Sequence, residues 1–146
     1  LRVPGQEHKE TIATGTRAAA AGGFTANACM PNTTPALDNV ATISALLERC
    51  EREAIVPVLP IGAITIGRDG KELVDFDALS DLGVVGFSDD GISTANASLM
   101  MDALRASARL GKPIMVHCED PTLIGGVMHE GEVSRALGLG GIPAAA

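Results

Sequence analysis

A chain of 146 residues, 46% of them hydrophobic, suits one ordinary domain with a sizeable core; three Phe and no Tyr or Trp leave Ala, Val, Ile, Leu and Met to fill it. The net charge of −7 argues against nucleic acid or an anionic membrane surface as partner, because both would repel it. No apolar run reaches membrane-spanning length and no signal-peptide pattern opens the chain, while Cys29, Cys50 and Cys118 stand at unrelated spacings that make no disulfide framework, so a reducing cytoplasm is the default.

Along the chain, helix and strand patterns alternate. Glu10 to Ala21 is Ala-rich, with high helix propensity, and Gly22-Gly23 stops it. Phe24 to Met30 is a short, mostly apolar run ending at Pro31. Asp38 is placed to cap a helix from Asn39 to Glu53, with Val40, Ile43, Leu46 and Leu47 on one face. Ile55 to Ile61 reads as a β-branched strand, followed by a Gly-containing excursion from Gly67 to Gly70. Asp75 caps a short helix through Leu82, and Val84 to Ser88 reads as a strand. A long helix from Ala97 to Leu110 ends at Gly111, Pro113 to Cys118 is the next strand, and Gly131 precedes a helical turn or two from Glu132 to Leu137.

Four strands, near 24–30, 55–61, 84–89 and 113–118, thus recur with helix between them. A period of roughly 25 to 30 residues is that of βα units and implies a parallel sheet. Periodicity alone leaves open whether the sheet is doubly wound or part of a (β/α)8 barrel; a whole barrel needs about 250 residues, so four units would be roughly half of one. The chain opens on Leu1 rather than Met, and Gly140 to Ala146 reads as a turn plus the first residues of another helix, so truncation on both sides is the simplest expectation.

In either architecture reactive groups gather at the C-terminal ends of strands. Here those ends carry Met30-Pro31-Asn32-Thr33, then Gly86-Phe87-Ser88-Asp89-Asp90-Gly91, then Val116-His117-Cys118-Glu119-Asp120. Strand alternation separates the two aspartates: bulky Phe87 belongs against the helices and takes Asp89 with it, while Asp90 shares the parity of small Gly86 and Ser88 and points into the mouth. Each residue also has a plainer reading. Ser88 to Gly91 makes a solvated turn, His117 a hydrogen-bonded structural residue, Arg2 a surface cation and Asn32 an ordinary turn residue. His8 and His129 fall in loops and face water. Imidazole and carboxylate together suit Zn²⁺ or a similar divalent ion, though two ligands are not a metal site.

Together these segments resemble the dihydroorotases, in the branch that uses an aspartate rather than a carbamylated lysine between its metals. The matching stretches are Leu1 to Glu10, Gly22-Gly23-Phe24-Thr25, Met30-Pro31-Asn32-Thr33, Phe87-Ser88-Asp89-Asp90-Gly91, His117-Cys118-Glu119-Asp120 and Gly138-Leu139-Gly140-Gly141-Ile142-Pro143. Any one is weak, but they run in order through essentially the whole chain. The resemblance implies α/β architecture, with residues 1–146 as the N-terminal half, lacking the first strand, of a metal-dependent amidohydrolase (β/α)8 barrel. It implies reversible cyclisation of N-carbamoyl-L-aspartate to (S)-dihydroorotate in pyrimidine biosynthesis, through a hydroxide bridging two zinc ions. Asp90 resembles the metal-bridging carboxylate and His117 a ligand of the second metal. Arg2 and Asn32 resemble the pair that binds the substrate carboxylate, a role suited to the guanidinium fork.

The family's His-x-His motif would precede Leu1, and its further histidine ligand and proton-shuttle aspartate would follow Ala146, so no general acid or base is assigned within this chain, and alone it is expected to be inactive. The resemblance allows a homodimer, or a complex with aspartate transcarbamoylase, in the intact protein. It also leaves two other readings: a non-catalytic dihydroorotase-like scaffold, in which metal ligands are generally lost, and a hydantoinase or allantoinase, which would carry a lysine where Asp90 stands.

Overall fold

The computed structural model describes residues 1–92, 94 and 96–146. The chain divides into two compact units, Leu1–Val116 and His117–Ala146. No helix among the described residues is long and apolar enough to cross a membrane.

In the first unit, helix α1 spans Ile12–Ala21 and is closed at its start by Thr11, whose Oγ1 accepts from Thr14 N. Strand β1, Asn27–Cys29, is shorter than the apolar run that contains it. Helix α2, Val40–Glu53, departs from expectation at its cap. Asn39 Oδ1 accepts from Thr42 N at 2.9 Å, whereas Asp38 Oδ2 accepts from Gly67 N at 2.7 Å. The buried stripe of α2 is accordingly Ile43, Leu46 and Cys50; Val40 is exposed and Leu47 half-buried. Strand β2 spans Val58–Pro60, and helix α3, Phe76–Asp81, starts where expected, with Asp75 Oδ1 accepting from Ala78 N. Helix α4 spans Ala97–Leu110, capped by Asn96 and ended by Gly111 in the left-handed region.

Parallel pairing runs through this unit in chain order. β1 pairs with β2 in the register Asn27↔Val58, Ala28↔Leu59, Cys29↔Pro60. Beyond β2, Val85 N donates to Pro60 O, Gly62 N to Gly86 O and Ser88 N to Gly62 O, giving a parallel bridge Gly62↔Phe87. Phe87 then bridges Ile114, with Phe87 N donating to Pro113 O and Met115 N to Phe87 O. The helices follow the same order, α1 against α2, α2 against α3 and α3 against α4. Phe87, wholly buried, packs its ring 4.3 Å from that of Phe76 on α3, so the strand side chains of its parity meet the helix layer. Among the described residues, the expected strand 113–118 is seen as the single bridge at Ile114. The pairing with Phe87 ends at Met115, Val116 is exposed, and His117 stands outside any strand.

The second unit holds β3, Met128–His129, paired in parallel with β4, Gly141–Ile142, and helix α5, Glu132–Leu137, lies between them in sequence. α5 has the expected limits, with Ser134 Oγ accepting from Gly131 N and Gly138 left-handed at the far end. Two expectations change here. His129 belongs to a strand, although an exposed one, and Gly141–Ile142 is a strand rather than the approach to a helix. Two-residue strands leave no periodic trace in a sequence, and their pairing is set by a partner 13 residues away, Met128 to Gly141.

Candidate active site

Three loops of the first unit, each following a strand segment, form a mostly polar cleft of about 470 Å³ whose lining includes Gln6, Asn32, Thr33, Thr34, Arg68 and Asp90. The loop after β1 is held by Thr33 Oγ1 donating to Pro35 O at 2.7 Å and by Leu37 N donating to Pro31 O. The N-terminal segment straps across it, with Thr34 N donating to Pro4 O. At Gly5, φ is +86° and an added Cβ would fall 1.7 Å from Thr34 O, so only glycine permits this approach. The strap carries Gln6 to the cleft wall.

Asp89 and Asp90 part as strand parity requires. Asp89 is 2% exposed and its carboxylate is fully used. Oδ1 accepts from Ile64 N at 2.9 Å and Thr65 N at 3.1 Å, and Oδ2 from Thr65 Oγ1 at 2.7 Å and Thr94 Oγ1 at 3.0 Å. It is a clamp that ties the turn after residue 88 to the segment after β2. Asp90 is half-buried, adopts φ +54°, and lines the cleft with its Oδ2 accepting from Asn32 Nδ2 at 2.5 Å. A non-glycine residue in the left-handed region costs on the order of 1 kcal/mol and persists where its surroundings over-determine it; Asp tolerates it better than most. Here Ser88 Oγ, which accepts from Asp90 N, and the Asp89 clamp supply that determination.

Asn32 and Asp90 therefore lie side by side, each at the end of a strand segment. Arg2 is half-buried near the start of the strap; it does not line this cleft, and no side-chain hydrogen bond or ion pair of Arg2 is seen among the described residues. His117 lies in the second unit, exposed, with Nε2 3.1 Å from Glu119 Oε2, beside a second cleft of about 310 Å³ that also involves Cys118, His129 and Ile142. Among the described residues no group of three or more His, Cys, Asp or Glu is placed to hold a metal ion. Gln6, Thr33, Thr34 and Arg68 also line the Asp90 cleft, and the sequence pattern does not mark them as site residues. Only the glycines flanking Arg68, at Gly67 and Gly70, distinguish that loop in the sequence.

A family model described as dihydro-orotase-like matches residues 1–146. The chain belongs to the dihydroorotase-like family. Among curated relatives, the dihydroorotase of Pelotomaculum thermopropionicum is 55% identical over 147 residues, covering 100% of this chain and 34% of its own length. That of Macrococcus caseolyticus is 53% identical over 144 residues (98% and 34%), and that of Aquifex aeolicus 50% over 139 residues (95% and 33%). The chain thus spans about a third of the curated relatives it matches. Among solved structures, an L-hydantoinase (dihydropyrimidinase) from Arthrobacter aurescens superposes with a TM-score of 0.60 over 78% of this chain and 26% of its own, at 22% identity, a likeness of fold alone.

Proposed function

We propose that the intact protein carrying this chain is a dihydroorotase, interconverting N-carbamoyl-L-aspartate and (S)-dihydroorotate in cytoplasmic pyrimidine biosynthesis. The observation that carries this reading is 50–55% identity, over essentially the whole chain, to relatives named dihydroorotase. On this reading residues 1–146 form about four βα units of a (β/α)8 barrel. Neighbour-by-neighbour parallel order from β1 to Ile114, with helices in the same sequence, supports that over a doubly wound sheet, in which strand order reverses at a switch point.

Two zinc ions are the proposed cofactor. The residues present fit such ions in kind, a carboxylate and an imidazole; among the described residues they fall short in number. Asp90 would be one ligand and His117 another, each assigned by its own position in the family motifs. Bound divalent ions would lower the pKa of water and polarise the scissile carbonyl. What this chain's own residues do is hold and orient. Asn32 Nδ2, donating to Asp90 Oδ2, helps fix the rotation of that carboxylate at the cleft. Arg2 and Asn32 are the proposed contacts to the substrate carboxylate. A charge-assisted pair of that kind is worth about 1.5–3 kcal/mol, so Arg2→Ala should raise KM roughly 10- to 150-fold.

Purified intact protein should hydrolyse dihydroorotate and lose that activity to a strong chelator. Absence of turnover with zinc fully loaded would refute the assignment.

A further inference from the structure

We propose that Arg68 is a substrate-binding residue: its guanidinium takes a carboxylate in the cleft it shares with Asn32 and Asp90. The substrate's identity rests on the dihydroorotase reading; the anion preference rests on the unmatched charge and donors of Arg68 itself.

Arg68 lines the cleft, and its Nε is shut off from solvent with no hydrogen-bond partner among the described residues. A buried N–H without a partner costs about 1–3 kcal/mol, and native structures leave few of them, so each calls for an explanation. No neighbouring carboxylate supplies one. Asp38 accepts from Gly67 N and Asn39 Nδ2, and Asp69 pairs with Lys71 at 2.9 Å. Asp89 is consumed by Ile64, Thr65 and Thr94, and Asp90 accepts from Asn32. Among the described residues nothing pairs with the guanidinium, whose charge and planar donor fork suit an anion.

The loop is built to hold it there. Arg68 sits at φ +58°, just after Gly67 at +62°, in a conformation that an arginine does not choose for itself. Its backbone N donates to Thr65 O at 2.9 Å, Gly70 N donates to Thr65 Oγ1 at 3.0 Å, and the same hydroxyl donates to Asp89 Oδ2 at 2.7 Å. One buried aspartate therefore fixes both the turn bearing Asp90 and, through Thr65, the turn bearing Arg68. An unsatisfied donor on a strained residue, in a rigid loop facing a polar cleft, is the pattern of stability given up for binding. The ligand that fits is a small carboxylic acid, because a guanidinium matches a carboxylate through two parallel N–H donors.

The test uses the intact polypeptide carrying this chain and its Arg68→Asn and Arg68→Lys variants. Asparagine tolerates the left-handed backbone, so loss of binding in Arg68→Asn cannot be laid to a misfolded loop. The expected result is a KM for dihydroorotate raised about 10- to 100-fold in Arg68→Asn, partial recovery in Arg68→Lys, little change in kcat or bound zinc, and an unliganded Tm equal to or above that of the parent. An unchanged KM would overturn the proposal while the dihydroorotase reading stood. A lowered Tm with loss of zinc would reduce Arg68 to a structural residue. Should the parent show no turnover, the reading fails, and calorimetric titration with succinate decides the anion site alone: binding lost in Arg68→Asn sustains it, and no binding in the parent overturns it.

Discussion

Phe87 in the first unit and Ser134 in the second are both buried, yet what surrounds them differs. Phe87 stands in a continuous core with Ile12, Leu37, Ile43, Ile64, Leu79 and Val84, each no more than 1% exposed. Ser134 is the single buried residue of His117–Ala146, and its hydroxyl only closes a turn onto Gly131, while Val127, Val133 and Leu137 are all more than 60% exposed. Thirty residues cannot remove enough apolar surface from water to offset chain entropy, whereas 116 can. The difference bears on function: Asn32, Asp90 and Arg68 line a cleft of the packed first unit, and His117 lies, exposed, in the second.

The largest expected effect contrasts the two directly. Phe87→Ala should cost about 3–5 kcal/mol in chemical denaturation, since it empties the contact with Phe76, whereas exposed Leu137→Ala should stay within about 0.5 kcal/mol. Comparable losses would mean that the second unit has a core of its own. Next, Asp89→Ala should cost roughly 3 kcal/mol, because it strands the buried N–H groups of Ile64 and Thr65; Asp90→Ala, which frees one half-buried Asn32 amide, should cost far less.

A smaller effect comes from pH. Burial first, and the nearby Cys50 second, push the Cys29 thiol up to about 11 from its ordinary 9.0. A raised pKa means that the folded state holds the proton more tightly, so its contribution is intact below pH 9.0 and is lost as pH rises towards 11. The first unit should therefore weaken by on the order of 2 kcal/mol across that window, an effect that Cys29→Ala removes. Exposed Cys118 should meanwhile be alkylated at neutral pH well before Cys29 or Cys50. The smallest effect is at a helix cap: Asn39→Ala should cost about 1 kcal/mol. Its counterpart Ser134→Ala should show itself only as faster hydrogen exchange around α5.

How much of the molecule is legible in its sequence depends on the range of the forces involved. α4 and α5 can be read to the residue, and α3 at its start, because Gly111, Gly138 and Asp75 act on their own helix ends. The shift of the α2 cap from Asp38 to Asn39 cannot, since it turns on Gly67, 29 residues away, offering its N–H to Asp38. Strands are overestimated for the same reason. Apolar runs suggest a six-residue strand at 113–118, whereas the strand pairing seen there among the described residues is the bridge at Ile114. In the site, the separation of Asp89 from Asp90 is legible because the pleat is local. That Arg68 shares a cleft with Asp90 is not, because it needs three loops, near residues 32, 68 and 90, to converge.

On the proposed reading, the two adjacent aspartates divide the work, Asp90 for the reaction and Asp89 for the scaffold. Zinc stoichiometry and thermal unfolding of Asp89→Asn and Asp90→Asn, made in the intact polypeptide, test it most directly. Asp90→Asn should lose zinc and dihydroorotate turnover while its metal-free Tm holds, and Asp89→Asn should melt several degrees lower than the parent in the metal-free state. Zinc and turnover retained in Asp90→Asn, or a metal-free Tm unchanged in Asp89→Asn, would contradict it.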